Sequence, residues 1–389
     1  MKRILIYFPE DRLAPIGGPA GYLYNLQQEL KDMHMDDFNI AFLPANDSKK
    51  SSTHAFLKKY APTRGQEFVR ALKMSKMYKR KNETAESYFS YDAIHFHSTE
   101  DLYYCRDFLD RYTGKVLLTS HTPCASFYEK MSRLNKTDRR ILGKRLQTLK
   151  MIDEYAFKRA DYVLFPCEQA EEPYYHTWSE YANIRVNDKY RYIPSGIRPC
   201  YPHIDRNKIR ERYGIPQDAY VVSYVGRHNE IKGYADLKEI GKFLLHQDVW
   251  FLIAGNEMPI KGLQDKHWIE VGWTNDPYSI VNAADVFILP NKETYFDLVL
   301  LEILSLGQIV IASNTGGNKY FKKFPEMGLF YYNTLQEAVS NVQYVRKLSE
   351  QKIANLKNAN ASVYHRFFTT EVFTQNYISL LKGIFNAKE

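Results

Sequence analysis

The chain has 389 residues, which is long enough for two ordinary domains that each bury a core. It is 44% hydrophobic and 25% charged with a net charge of +8, a composition typical of soluble globular proteins. No segment reaches the roughly 18 apolar residues of a membrane span, and the start MKRILIYFPED lacks the cleavage site of a signal peptide. Four scattered cysteines without metal or disulfide spacing lead us to expect reduced thiols and a cytoplasmic protein.

Short apolar runs alternate with helical patterns along the whole chain. Predicted strands cover residues 3–8, 39–44, 93–97, 115–120, 162–166, 220–226, 249–255, 285–290 and 308–313. Several runs are continuously apolar, as in parallel strands that are covered on both faces. Helices between strands therefore predict an α/β fold with two doubly wound parallel-sheet domains and a cleft between them.

The segment YIPSGIRPCYP (192–202) is rich in proline and glycine and is interpreted as the linker. We expect an N-terminal domain over 1–195 and a C-terminal domain over 196–370. A last helix over 371–389 is expected to pack back on the N-terminal domain.

Glycines follow the first predicted strand, in APIGGPAGYLYNLQQEL (14–30). Gly17, Gly18 and Gly21 at a strand-to-helix turn allow close backbone approach to a phosphate or to the opposite domain. The GGxxG spacing is not the dinucleotide fingerprint GxGxxG, so this signal is weak alone.

A basic stretch follows at 57–81, with nine basic residues and a single acidic one, Glu67. A second basic region covers 130–150. Basic amphipathic helices suit an anionic membrane surface, and the alternative is a solvated helical face. Nucleic-acid binding is the weaker hypothesis, because no recognition module is visible.

Two histidines alternate in HFH (95–97) and should lie on one face of a strand. A metal site would need a third ligand, and none is near in sequence. A structural or acceptor-site role is favoured over a metal site.

Two cations follow the strand of VVSYVGRHNEIKG (221–233). Arg227 lies at the strand's tip and Lys232 after a short loop. Arginine can bind two oxygens at once and lysine acts as a point charge, so the pair suits a diphosphate. Ordinary surface charges on a solvated turn are the alternative.

A glutamate interrupts the apolar run of ETYFDLVLLEILSLG (293–307). A helix is predicted from Asp297 to Ser305, stopped by Gly307, with free N–H groups suited to phosphate. A buried Glu302 without partners would be costly or protonated. A polyhydroxyl ligand or a structural lysine or arginine would each satisfy it.

Together these segments resemble the retaining GT-B glycosyltransferases of family four, the large glycogen-synthase-like group. The resemblance covers most of the chain and rests on IGGPAGYLYNL, EYAFKRADYVLFPCEQ, YIPSGI, VGRHNEIKG, FLIAGNE, VGWTNDPYSIVNAADVFILP, ETYFDLVLLE and NTGGNKYF. It implies the GT-B fold, two Rossmann-like doubly wound domains facing across a cleft. The N-terminal domain would bind the acceptor and the C-terminal domain the nucleotide-sugar.

The resemblance also implies roles for individual residues. Arg227 and Lys232 would hold the donor diphosphate with the backbone N–H groups of Leu298 and Val299, and Glu302 would bind the ribose hydroxyls. The resemblance also implies that Gly17 and Gly18 lie near the donor, Gly272 and Trp273 by the base, and Glu293 at the donor sugar. It implies that His121 is the active-site histidine. The alternative is a structural histidine whose ring is hydrogen-bonded within the protein.

Three departures from the family's pattern weaken parts of this assignment. The two glutamates are nine residues apart where the family has eight, so Glu293 or Thr294 meets the sugar. Asp297 replaces a glycine and brings negative charge near a diphosphate unless it caps the helix. Tyr22 stands where a histidine is common.

The resemblance implies a metal-independent retaining hexosyltransferase without a cofactor, because no DxD motif is present. Its substrates would be a nucleotide-sugar, with UDP favoured, and a glycan or lipid-linked acceptor in cell-envelope or capsular polysaccharide synthesis. The alternatives are a catalytically silent partner subunit of another glycosyltransferase, or a phosphorylase or epimerase on the same fold. Association with the inner face of the membrane through 57–81 is the further expectation.

Overall fold

The structure is a computed structural model that describes residues 1–9, 13, 14, 18–33, 35–43, 69, 72, 86–132 and 134–386. The chain divides into two compact units. The first comprises Met1–Ile193 with Gly383–Glu389, and the second comprises Pro194–Lys382.

The first unit contains a six-stranded parallel sheet in the order β2-β1-β3-β4-β5-β6. Its strands are β1 (Lys2–Tyr7), β2 (Phe38–Phe42), β3 (Ala93–Phe96), β4 (Lys115–Leu118), β5 (Tyr162–Phe165) and β6 (Tyr190–Tyr192). Its described helices are α1 (Pro19–Asp32), α2 (Thr99–Tyr104), α3 (Arg106–Leu109), α4 (Ser126–Ser132), α5 (Lys136–Leu142), α6 (Arg145–Arg159), α7 (Glu172–Thr177) and α8 (Tyr181–Ile184).

The second unit contains another six-stranded parallel sheet, in the order β12-β11-β10-β7-β8-β9. Its strands are β7 (Tyr220–Val225), β8 (Val249–Ala254), β9 (Trp268–Gly272), β10 (Val286–Leu289), β11 (Val310–Ser313) and β12 (Leu329–Tyr332). Its helices are α9 (Arg206–Arg212), α10 (Tyr234–Leu245), α11 (Pro277–Asn282), α12 (Leu298–Ser305), α13 (Leu335–Arg346) and α14 (Glu350–Phe367), and α15 (Thr370–Asn386) ends the described chain.

The second sheet is covered by apolar side chains on both faces. Val222 and Phe251 join one core cluster with α10 and α13, whereas Val221 and Leu252 join the other with α9 and α11. Neighbouring residues of a strand point to opposite faces, which explains why these strands read as continuous apolar runs.

The predicted α/β class with two doubly wound parallel sheets is confirmed. All nine predicted strands are present, whereas β6 and β12 were not predicted and only residues 269–271 of β9 were recognised as a strand. β6 and β12 lie at sheet edges, and β6 is the three-residue segment YRY. Such a short edge strand buries too little to leave an apolar run in the sequence.

The last residues of the described chain pack on the first unit. Phe385 of α15 lies with its ring centroid 6.0 Å from that of Phe38, and Lys2 Nζ lies 5.5 Å from the Phe385 ring. No described helix is long and apolar enough to cross a membrane.

Candidate functional site

The strand order of the second sheet reverses between β7 and β10. In doubly wound sheets, ligands bind at the carboxyl ends of the strands where the order reverses. The loop after β7 carries Arg227 and Lys232, and the loop after β10 carries residues 291–297. The topology therefore brings two separately predicted motifs to the same edge.

Glycine allows these two loops to touch. Gly233 has φ +64° at the start of α10, and a Cβ there would lie 1.6 Å from the Pro290 carbonyl oxygen. Lys292 N donates to the Ile231 carbonyl over 3.0 Å, and Lys232 N donates to Asn229 Oδ1 over 2.9 Å. The backbone on both sides of Lys232 is thus fixed against the β10 loop.

Lys232 is held by an acidic residue of the neighbouring loop. Its Nζ lies 2.5 Å from Asp297 Oδ2, which also accepts from Asn291 Nδ2 over 2.6 Å. The other oxygen of Asp297 accepts from Val299 N over 3.2 Å and so caps α12. Burial opposes charge on Asp297, but the Lys232 ammonium and these hydrogen bonds bring the pKa of that carboxyl below its usual value.

Glu302 lies on α12, one turn beyond the cap, and is half-buried. Its carboxylate has no hydrogen bond to a described residue, because Asp297 takes the lysine. Burial and the nearby Asp297 charge raise the pKa of Glu302 to about 7, and Lys232 opposes that rise. Among the described residues, therefore, no lysine or arginine pairs with Glu302, as the alternative would require.

α12 begins one residue later than predicted, with Asp297 as its N-cap, and ends at Ser305 as predicted. It runs over Leu298–Ser305 with Leu300, Leu301, Ile303 and Leu304 buried, and Gly307 follows with φ +68°. Leu298 and Val299 form its first turn. The amide of Val299 is engaged by Asp297, so one of the two N–H groups expected to meet a phosphate is occupied in this state.

Three further predicted residues lie at the same edge or beside it. Arg227 is exposed and forms no ion pair with a described residue. Gly272 ends β9 with φ +76°, and Trp273 follows with 67% of its surface exposed. Gly272 is open on its Cβ side, where no heavy atom lies within 4 Å.

Glu293 and Thr294 share the β10 loop but differ in environment. Thr294 is 3% exposed, and its carbonyl accepts from Gly317 N over 3.1 Å. Glu293 is half-buried, with Oε2 sealed from solvent. The loop is anchored by Phe296, which is 6% exposed and stacks on Phe321 at 5.4 Å between ring centroids.

In the first unit the strand order reverses between β1 and β3. The loop after β1 leads to Gly18, the N-cap of α1 with φ +78° and open space on its Cβ side. Gly17 lies outside the described residues. His97 and His121 follow β3 and β4 at the same edge.

Four rings form a group there, here called the histidine cluster: Tyr22, His95, His97 and His121. His97 Nδ1 lies 2.8 Å from His121 Nε2, and His95 Nε2 lies 2.9 Å from Thr119 Oγ1. The Tyr22 ring meets His121 edge-on at 4.8 Å between centroids. Burial lowers the pKa of His95 and of His121 to about 3, and that of His97 well below its usual value, so all three rings are neutral near pH 7.

Sequence reasoning missed two of these relationships. Asn291 reads as an ordinary loop residue after Pro290, and nothing in the sequence indicates that its amide binds Asp297. The contact between His97 and His121 joins residues 24 positions apart. The HFH pattern predicted only that His95 and His97 share a face, which their 4.1 Å centroid distance confirms.

Comparison with known proteins gives a family match within the second unit. Residues 205–362 match the family described as glycosyl transferases group 1. The chain is 26% identical over 184 residues to the UDP-Gal:alpha-D-GlcNAc-diphosphoundecaprenol alpha-1,3-galactosyltransferase of Escherichia coli, covering 43% of this chain and 47% of that protein. The chain therefore spans about half the length of this relative.

Two solved structures resemble the whole chain. Sucrose-phosphate synthase of Thermosynechococcus elongatus has a TM-score of 0.68 at 19% identity and covers 100% of both chains. Anabaena HepE in complex with UDP and glucose has a TM-score of 0.61 at 15% identity and covers 98% of this chain and 100% of that one. At these identities the likeness shows a common fold. The family's domain over residues 205–362 and the GT-B fold along the chain together support a GT-B glycosyltransferase of the group-1, family-four-like kind.

Proposed function

We propose that this chain is a retaining glycosyltransferase that moves a hexose from a UDP-sugar to a hydroxyl of a glycan or glycolipid in bacterial cell-envelope or capsular polysaccharide synthesis. One observation carries the proposal. Lys232, the N-terminus of α12 and the carboxylate of Glu302, which has no hydrogen bond to any residue the structure describes, lie together where the second sheet reverses its strand order.

A nucleotide diphosphate complements this arrangement in charge. Its phosphates would accept from the exposed Arg227, from Lys232 and from free amides of the first turn of α12. These groups would stabilise the charge on the departing diphosphate without a metal ion. The ribose hydroxyls would donate to Glu302 and would supply the hydrogen bonds that its half-buried carboxylate lacks.

The choice of UDP is supported by the compared proteins. The Escherichia coli relative is named for a UDP-Gal donor, and the HepE structure contains UDP and glucose. Gly272 and Trp273 at the end of β9 are proposed to lie beside the base. Gly17 and Gly18 are proposed to approach the donor from the turn before α1.

For the chemical step we propose front-face attack with retention of the anomeric configuration. The leaving phosphate would help to accept the proton of the attacking hydroxyl, so no protein base is assigned. Glu293 would meet the donor sugar, and His121 would bind one of its hydroxyls. Closure of the site over the donor would exclude water and limit hydrolysis.

A second candidate function is favoured by one specific observation. Asp297 neutralises Lys232, the cation on which diphosphate binding depends. A silent partner subunit could tolerate such a pair because it need not bind a donor. The exposed Arg227 and the unbonded Glu302 favour the enzyme.

The acceptor is proposed to be lipid-linked, with the protein bound peripherally to an anionic membrane. The stretch 57–81 lies outside the described residues except for positions 69 and 72. The described α5 adds Arg139 and Arg140 beside Ile141, which is 65% exposed. Co-sedimentation with vesicles should increase with their anionic lipid content, and binding that ignores lipid charge would contradict this part of the proposal.

Thermal unfolding against UDP, GDP, CDP and dTDP tests the donor site. A ligand at about 100 times its Kd stabilises the fold by roughly 2.7 kcal/mol. We expect UDP to raise Tm and Lys232→Ala to abolish the shift. Lys242→Ala is the matched control, because Lys242 is an exposed lysine of α10 that pairs with Glu239 over 2.6 Å. No shift with any nucleotide would favour the silent partner.

A further inference from the structure

In the histidine cluster, His97 and His121 share one hydrogen bond, but their other ring nitrogens lie in different environments. His97 Nδ1 and His121 Nε2 are 2.8 Å apart, and their rings stack at 5.1 Å between centroids with 26° between planes. His97 Nε2 is buried and has no partner among the described residues. His121 is half-buried, and its Nδ1 has no protein partner in the described chain but, unlike His97 Nε2, is not sealed from solvent.

Because both rings are neutral, a single proton lies between them, and two arrangements exist. If His121 donates from Nε2, then His97 accepts at Nδ1 and must carry its own proton on Nε2, where a buried N–H would have no acceptor. If His97 donates from Nδ1, its sealed Nε2 carries only a lone pair, and His121 carries its proton on Nδ1. Orphaned buried N–H donors are rarer in proteins than unmet acceptors, so the second arrangement is favoured.

The surroundings fix both rings in place. His95 stacks on His97 at 4.1 Å between centroids and is itself bonded to Thr119. The Tyr22 ring meets His121 edge-on. The backbone of His121 has φ +56°, a conformation that a residue with a side chain adopts only when its environment enforces it. The His121 ring is thus held with Nε2 toward His97 and Nδ1 away from it.

We propose that His97 is a positioning residue that holds His121 as the tautomer protonated on Nδ1, so that His121 offers an N–H donor to an oxygen of the donor sugar. The proposal rests on the function proposed above, in which His121 meets that sugar. It assigns to HFH a role other than metal binding: His97 sets the tautomer and His95 supports the stack. The tautomer can be measured without any substrate.

Histidine-selective ¹⁵N labelling of the whole chain tests this directly, because the ring chemical shifts distinguish protonated from unprotonated nitrogens. We expect His121 Nδ1 and His97 Nδ1 to be protonated in the wild type, with each ring assigned by its correlations to its own backbone resonances. A proton on His121 Nε2 would overturn the proposal. The wild-type spectrum alone therefore decides, even if a variant fails to fold.

Variants then test the causal step. His97→Leu removes the donor and should release His121 into a mixture of tautomers, whereas His97→Asn places an amide near the Nδ1 position and should restore the wild-type state. His246→Gln is the control, since His246 is an exposed histidine at the end of α10, outside the histidine cluster, and should leave the His121 tautomer unchanged. An unchanged His121 tautomer in His97→Leu would overturn the role of His97.

Activity separates this proposal from the proposed function. We expect His97→Leu to lower kcat roughly a hundredfold, as misplacement of an active-site group can, with recovery in His97→Asn. UDP-induced stabilisation should persist in both, because the proposed nucleotide site lies in the second unit. A wild type that binds no nucleotide would overturn the proposed function, whereas an altered tautomer with unchanged kcat would overturn the catalytic part of this inference.

Discussion

Lys232 Nζ lies 2.5 Å from Asp297 Oδ2, an ion pair between the loops that follow β7 and β10. The same carboxylate caps α12 at Val299. Asp297 therefore both caps α12 and forms an ion pair with the lysine that is proposed to hold the diphosphate. If Lys232 holds the diphosphate as proposed, the nucleotide competes with Asp297 for it.

Asp297→Asn should separate these two roles. Asparagine caps helices about as well as aspartate, so α12 should persist while the ion pair is lost. We expect UDP to bind about tenfold more tightly, equivalent to about 1.4 kcal/mol, as measured by calorimetry. The free energy of unfolding should fall by about 1 to 3 kcal/mol, because Lys232 loses a charged hydrogen-bond partner.

Asp205→Asn is the matched control for Asp297→Asn. Asp205 caps α9 by accepting from Asn207 N over 2.8 Å and forms no ion pair in the described chain. It should leave UDP affinity unchanged. Weaker UDP binding in Asp297→Asn would mean that Asp297 directs Lys232 toward the phosphate and does not compete with it.

The Lys232–Asp297 ion pair also shows which features of the site could not be predicted from the sequence. The apolar run after Asp297 and the glycine at 307 are local signals, and they predicted α12 to within a residue. The contacts of Asp297 with Lys232 and Asn291 depend on where two separate loops meet, which the strand order decides. Residue types and their spacing pointed to Lys232 and Glu302 as candidates, but the ion pair and the His97–His121 bond are tertiary contacts without a local signal.

Glu302 should make both stability and nucleotide binding depend on pH. Its folded-state pKa of about 7 lies above its usual value of 4.5. The folded state therefore holds the proton more tightly, so the free energy of unfolding should fall as pH rises from 4.5 through 7. Conversely, UDP affinity should increase over pH 6 to 8, because the ionised carboxylate is the better acceptor for ribose hydroxyls.

Glu302→Gln should remove the trend in stability, since the amide does not titrate, and should leave only the pH dependence of affinity that comes from the terminal phosphate of UDP, whose second pKa is about 6. The variant should be more stable than the wild type at pH 8 and should bind UDP more weakly there. Denaturant unfolding and calorimetry across the pH range measure the two effects. A pH dependence of UDP affinity as large in Glu302→Gln as in the wild type would show that Glu302 is not a titrating group of the site.

Gly233 should tolerate no side chain, because it brings the Lys232 loop against Pro290. A Cβ would lie 1.6 Å from the Pro290 carbonyl oxygen. Gly214 is the matched control, with nearly the same backbone at φ +66° and no heavy atom within 4 Å. Gly214→Ala should cost about 1 kcal/mol for the left-handed conformation alone.

Gly233→Ala should cost several kcal/mol, because overpacking adds to the same backbone strain. It should also weaken UDP binding by displacing Lys232. Urea unfolding of both variants gives the difference directly. Equal losses of stability would show that the two loops separate at little cost.

The last prediction concerns which residue of the β10 loop meets the donor sugar. Phe296, buried against Phe321, anchors the end of this loop that leads into Asp297. Thr294 is buried and its carbonyl holds Gly317, which gives it a structural role, whereas Glu293 is the half-buried carboxylate. We expect Glu293→Gln to lower kcat about ten- to a hundredfold, the value of one or two charged hydrogen bonds.

Thr294→Ser keeps the hydroxyl and the backbone contact and should change kcat by less than about threefold, and Thr294→Val should act mainly on Tm. Steady-state kinetics with a UDP-sugar and thermal unfolding distinguish the two positions. A large loss of kcat in Thr294→Val, together with near-normal activity in Glu293→Gln, would transfer the sugar contact to Thr294. Thr294, eight residues before Glu302, would then occupy the family's sugar position without an added residue, and its hydroxyl can donate as well as accept a hydrogen bond.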